Sequence, residues 1–239
     1  MGRRVALSVT ARTGMTPMEL RFDPSREEFE EFLDTQLALV ELRLGSVCGE
    51  VSEVYPILKR QFSRIRSKYF SDDGAPVVRV ANNAQYTIFL YWLSCRVFAA
   101  GRRIEADRIY ALLRMVSGAD IYYEVSLPEL WGCDHPLGSV IGRAEFADDA
   151  TFFFSQNCNT GNNDGIYPRV RGNLLMLPNS SLLGDTEVTG NVIMSNGACA
   201  IDAGKLSDCI VFGRSPDLTI KPLSGARFRE RNILMLPER

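Results

Sequence analysis

The sequence has a single histidine, His135, in 239 residues, and none of its six cysteines forms a C-x-x-C pair. Zinc sites built on histidine need several of them, so carbonic anhydrase chemistry is set aside, and the cysteine spacing suggests neither a zinc knuckle nor a redox dithiol; no metal is expected. Cys48, Cys95, Cys133, Cys158, Cys199 and Cys209 read instead as buried free thiols. No apolar run is long enough to span a bilayer or to serve as a signal h-region, so the expected location is the cytoplasm. Charge of one sign is missing too. Lysine and arginine number 27 against 29 acids, a net charge of −2 that gives no global pull toward nucleic acid or anionic membrane. What remains is a globular chain, 46% hydrophobic and 23% charged, able to bury a core without disulfides or metal.

Two patterns divide it. Residues 1–23 form an N-terminal segment with little to read. From 24 to 118 the period is helical. "DPSREEFEEFLDTQLALVELRL" opens on Pro and Ser, places acids in its first turn and then repeats apolar residues at three- and four-residue steps. "YPILKRQFSRIRSKYF" continues the style and "SDDGAP" breaks it. "AQYTIFLYWLSCRVFAAG" and "RIEADRIYALLRMVSG" then read as two helices ended by Gly101 and Gly118. From 119 to 222 that period vanishes. Val170, Met176, Leu182, Val188, Met194 and Ala200 stand six apart, and Ser180, Thr186, Val192 and Ala198, two before four of them, are small or β-branched. This is the spacing of a hexapeptide solenoid, in which three six-residue strands make a triangular coil and every sixth residue points inward. The fold class is α+β, all-α first and solenoid second. Residues 223–239 carry a basic patch and an apolar end, read as a solvated tail.

His135 lies at the head of the solenoid in "WGCDHPLGSVIGRAEF", fifteen positions after Asp120. With about eighteen residues per coil, that separation nearly completes a turn and could return the carboxylate to the imidazole. A histidine whose Nδ1–H is held by a carboxylate presents Nε2 as general base to a hydroxyl, which can attack a thioester carbonyl. Acyl transfer needs no metal.

The segment "DIYYEVSLPELWGCDHPLGSVIGRAEF" resembles the serine acetyltransferases, whose form is D-I-x-P, about a dozen residues, then D-H-x-x-G-x-V-I-G. Asp120, Ile121, Asp134, His135, Gly138, Val140, Ile141 and Gly142 match without a gap. The resemblance runs over roughly residues 80 to 222. It implies a left-handed parallel β-helix, acetyl-CoA as co-substrate, and a trimer, or an assembly of trimers, with the site between neighbours. His135 of one subunit then faces the 161–168 loop of the next. It further implies His135 as general base, Asp120 as its orienting carboxylate, Asp134 as an acceptor contact, and Gly161, Pro178 and Asn196 in the turns along the coenzyme A groove.

The match fails where the family has a second histidine before the proline of an inter-coil loop, because "NNDGIYPRV" has Tyr167 there. A phenol offers a donor and a ring face, which suits a polyhydroxylated acceptor. The style of "QYTIFLYWLS", "IYYEVSLPE" and "HPLGSVIGRA" is similar to the branch of the family associated with lipopolysaccharide and capsule synthesis. The expected activity is O-acetylation of a sugar or sugar-containing metabolite, with Asn83 and Gln85 as further candidate acceptor contacts. Serine O-acetylation and a catalytically inactive trimeric scaffold are the alternatives.

Overall fold

A computed structural model describes residues 19–234; the first eighteen residues of the N-terminal segment and the last five of the tail lie outside it. Helix α1, Arg26–Ala38, begins where Ser25 accepts a hydrogen bond from the Glu28 amide and buries Phe29, Leu33 and Leu37 at four-residue steps. It stops earlier than its apolar period suggests. Glu41 takes a positive φ, and a new helix, α2 (Leu44–Phe62), starts with the Leu44 amide bonded to Asp34 of α1 at 2.6 Å. "SDDGAP" is a turn, as expected, but it closes a hairpin between Ser71–Asp72 and Ala75–Arg79, with Asp73 and Gly74 both at positive φ. Strand Arg21–Asp23 joins this hairpin in parallel, so the helical half also contains a small sheet.

Helices α3 (Asn83–Ala99) and α4 (Arg103–Ser117) pack against each other, and Gly118, left-handed at φ 66°, ends α4. Their apolar faces run into the solenoid without a break. Tyr91 of α3 meets Trp131 with ring centroids 5.2 Å apart, donates to the Val125 carbonyl and accepts from the Leu127 amide.

The second half is a parallel β-helix of about five turns with three faces. The first face stacks Asp120–Ile121, Val140–Ile141, Asn159–Gly161, Ser181–Leu183 and Cys199–Ile201. The second stacks Glu145–Phe146, Arg169–Val170 and the early parts of Thr186–Met194 and Gly204–Arg214. Leu130–Cys133, Thr151–Phe154, Asn173–Met176 and the later parts of the same two long strands make the third. The six residues spaced by six are all fully buried, and so are Ser180, Thr186, Val192 and Ala198. They fill the prism.

Strand Asp217–Pro222 folds back antiparallel on Gly204–Arg214 and closes the end of the coil. The following residues are not the solvated extension expected of them. Helix α5, Gly225–Arg231, buries Phe228, and Leu223 and Leu234 are buried as well. Arg66 ties this segment to the helical half through the Ile233 and Asn232 carbonyls at 2.7 Å each. The reading of the thiols also needs correction: Cys133, Cys158, Cys199 and Cys209 are buried, Cys95 is partly exposed and Cys48 is exposed, all unpaired.

Candidate active site

The corner between the third and first faces repeats down the prism. Gly138, Asn157, Asn179 and Gly197 occupy equivalent positions, each left-handed at φ 74°, 52°, 63° and 72°. They are linked by bonds from the Asn157, Asn179 and Gly197 amides to the Leu137, Gln156 and Pro178 carbonyls. In the lower coils two residues lead from the third face to this position: Ser155–Gln156, Leu177–Pro178 and Ser195–Asn196. In the first coil there are four, Asp134–Leu137. The two extra residues push the corner outward, and His135 is carried on it at φ 47° with 81% of its side chain exposed.

This geometry explains the glycine of D-H-x-x-G. A Cβ on Gly138 would stand 2.1 Å from the Asn157 Oδ1, and the Asn157 side chain is itself tied to Asn179. The loop is fixed at both ends. Asp134 donates its amide to the Phe154 carbonyl, and the Gly138 amide bonds to the Gly118 carbonyl at the end of α4.

Between this loop and the helical half lies a cleft of about 700 Å³, with Asp134, His135 and Leu137 on one wall and Tyr69, Asn83 and Met115 on the other. Its apolar lining is open to solvent: Tyr69, Met115 and Leu137 are 55%, 61% and 66% exposed. Asn83 is exposed at the start of α3, whose cap is Asn82, bonded to the Gln85 amide. Gln85 does not reach the cleft. It is buried, accepts from the Arg79 amide and donates to the Val77 and Tyr69 carbonyls, so it holds the segment that carries Tyr69 instead of touching a ligand.

Asp120 also departs from expectation. Ile121 points into the prism and Asp120 outward, where the Tyr110 hydroxyl donates to one carboxylate oxygen and Arg114 Nε stands 3.8 Å from the other. Burial, and next the Asp120 bond, push the Tyr110 phenol up to about 12. No hydrogen bond or ion pair joins Asp120 to His135. The carboxylate within 4 Å of the imidazole is Asp134, 3.6 Å from Nε2, which is beyond hydrogen-bond range. Asp120 opens instead into an adjoining cleft with Arg114, Ser139 and Val140, and Met115 and Gly118 line both.

Pro178 and Asn196 stack beneath Gln156 on the edge below the His135 loop, which groups two of the three residues assigned to the coenzyme A groove. Gly161 lies at the opposite edge of the first face, where the loop to the next strand begins. That loop is long. Thr160 to Val170 spans ten positions, against six from Leu182 to Val188, and the surplus folds into a tight turn closed between Asn163 and Ile166. Tyr167 on this loop lines a separate cleft with Arg143, Glu124 and Phe146, so one chain does not bring it to His135.

Tyr69, Met115, Tyr110 and Arg114 were not singled out by the sequence reading. Tyr110 and Arg114 had a signal, since they are four apart on one face of the helix that ends just before Asp120. Tyr69 had none. Among the described residues no group of three or more His, Cys, Asp or Glu side chains is placed to hold a metal ion, and no helix is long and apolar enough to cross a membrane.

No protein-family model matches the sequence, and no curated protein matches it. Solved structures do. Serine acetyltransferase from Vibrio cholerae superposes with a TM-score of 0.62 at 15% identity, covering 82% of this chain and 80% of that one. The Brucella abortus serine acetyltransferase in complex with coenzyme A gives 0.62 at 15% identity over 84% of each chain. Soybean serine acetyltransferase complexed with serine gives 0.52 at 14% identity over 70% of each. The chain has the fold of the serine acetyltransferases, a helical N-terminal region leading into a left-handed parallel β-helix.

Proposed function

We propose that the protein is an acetyl-CoA-dependent O-acetyltransferase whose acceptor is a hydroxyl of a sugar or sugar-containing metabolite. The observation that carries this reading is the single imidazole, held out on a corner two residues longer than those below it and facing the cleft walled by Tyr69, Asn83 and Met115. His135 takes the proton of the acceptor hydroxyl as the oxygen attacks the thioester carbonyl. The tetrahedral intermediate collapses, the C–S bond breaks, and the imidazolium returns the proton to the departing thiolate. Coenzyme A bound to a relative of the same fold supports the donor. Gln156, Pro178 and Asn196, stacked in successive coils, offer an edge along which an extended pantetheine arm ends at His135.

A ring-bearing acceptor fits the cleft better than a small zwitterion does, because half-exposed Tyr69, Met115 and Leu137 present apolar surface beside the polar Asp134 and Asn83. Tyr167 in place of a second histidine points the same way. In this reading Tyr167 and Gly161 reach the imidazole only across a contact between copies, in a trimer or an assembly of trimers. An active monomer by sedimentation would contradict that part.

The test is release of free thiol from acetyl-CoA, with nucleotide sugars, monosaccharides, serine and homoserine offered in parallel. Turnover with a sugar that His135→Ala abolishes supports the proposal. Turnover confined to serine gives the site to an amino acid, and no turnover or coenzyme A binding with any acceptor leaves a binding scaffold.

A further inference from the structure

Asp120 straddles two neighbours. Its amide is bonded to the Ser139 carbonyl at 2.8 Å, on the far limb of the loop that carries His135, while its carboxylate is turned toward α4 and engaged by Tyr110 and Arg114. The Tyr110 hydroxyl donor and the Arg114 cation form one unit, with the guanidinium 5.6 Å from the centroid of the Tyr110 ring. The ring is braced in turn by Tyr122 and Tyr123, whose hydroxyls meet Arg103 and Asp107. We propose that Tyr110 and Arg114 are positioning residues that compete with His135 for the Asp120 carboxylate, so that the helical half sets how much of the imidazole is paired. The inference rests on the reading of His135 as general base.

Three features make the competition physical. Asp120 is partly exposed, so turning its carboxylate does not require repacking a core. A carboxylate has room for both kinds of donor, but a side chain with two rotatable bonds cannot aim at α4 and at the corner loop together. Among the described residues, the charged side chains that line the two clefts besides Asp120 and His135 are Arg114 on α4 and Asp134 beside the imidazole on the loop itself. An imidazole that gains a carboxylate partner holds its proton to higher pH. Releasing Asp120 from α4 therefore raises the midpoint of His135.

Because His135 is the only histidine, its ring C2–H resonance in the full chain needs no assignment. The experiment is a proton NMR titration of wild type, Tyr110→Phe, Arg114→Gln and Tyr110→Phe/Asp120→Asn. Tyr110→Phe changes no charge at neutral pH, and an upward shift of about half a pH unit or more is expected. The same shift should vanish when Asp120→Asn is added. Arg114→Gln should also raise the midpoint; because loss of the cation contributes to that rise, it serves as a second release, if Tyr110→Phe fails to fold, only when compared with Arg114→Gln/Asp120→Asn, in which the rise should vanish. An unchanged midpoint in the released variants, or a rise that survives Asp120→Asn, overturns the proposal. The titration requires no turnover, so the two failures are distinguishable: an unchanged midpoint with acetyl transfer intact overturns the competition alone, and a shift without acetyl transfer overturns the enzyme reading and with it any catalytic role of the competition.

Discussion

The upper and lower coils of the β-helix are built from one repeat and used differently. From Asn173 down, strands of the third face pair at intervals of eighteen and seventeen residues and the corners are short. Above, the intervals lengthen to 21 and 22: in the first coil the surplus goes into the His135 corner and the turn before Thr151, and in the next it goes into the 161–168 loop on another edge. Regularity packs the interior; the departures carry His135 and Tyr167. An extra residue in a corner leaves the buried columns in register, so the coil absorbs such insertions without losing its core.

That contrast can be broken at several points. The largest effect should come from His135→Ala, with acetyl transfer falling about 10²–10⁴-fold and the thermal midpoint unchanged, since the side chain touches no core. Leu182→Ala, in the fully buried column, should do the opposite, lowering unfolding free energy by about 2–5 kcal/mol in a denaturant titration. Leu137→Ala in the exposed corner should stay within about 0.5 kcal/mol by the same assay.

Two glycines of one column sharpen the comparison. Gly138→Ala meets a positive φ and the tethered Asn157 side chain, for a loss of about 2–3 kcal/mol. Gly197→Ala meets the same φ class but open space, for about 1 kcal/mol. Equal losses would mean that the upper corner is no tighter than the lower one. The smallest effect is alkaline. The Tyr110 phenol is raised from 10 to about 12, so the stability it contributes is intact below pH 10 and is lost as pH rises toward 12. Tyr110→Phe should make the decline of the thermal midpoint across that window shallower.

Much of this architecture was legible before any coordinates. The start of α1, the Gly118 stop, and the six-residue column are local or strictly periodic, and a period is visible in one dimension because neighbours in the coil recur at a fixed step. The hairpin at 71–79 and the start of α2 were not, since the first needs a parallel partner at Arg21–Asp23 and the second a cap supplied by Asp34 across a turn. The tail misled for a similar reason: a short basic helix looks solvated until its Phe228 is given a surface to bury against.

The sequence by itself determined the triangular coil, because every sixth position had to be apolar for the interior to close, and it singled out His135 because no other imidazole exists in the chain. Only the tertiary structure decided which way Asp120 points, that Tyr69 and Met115 face the imidazole, and that Gln85 holds a wall instead of a ligand. Those outcomes depend on side-chain direction and on packing between the helical half and the first coil. Residue spacing carries neither.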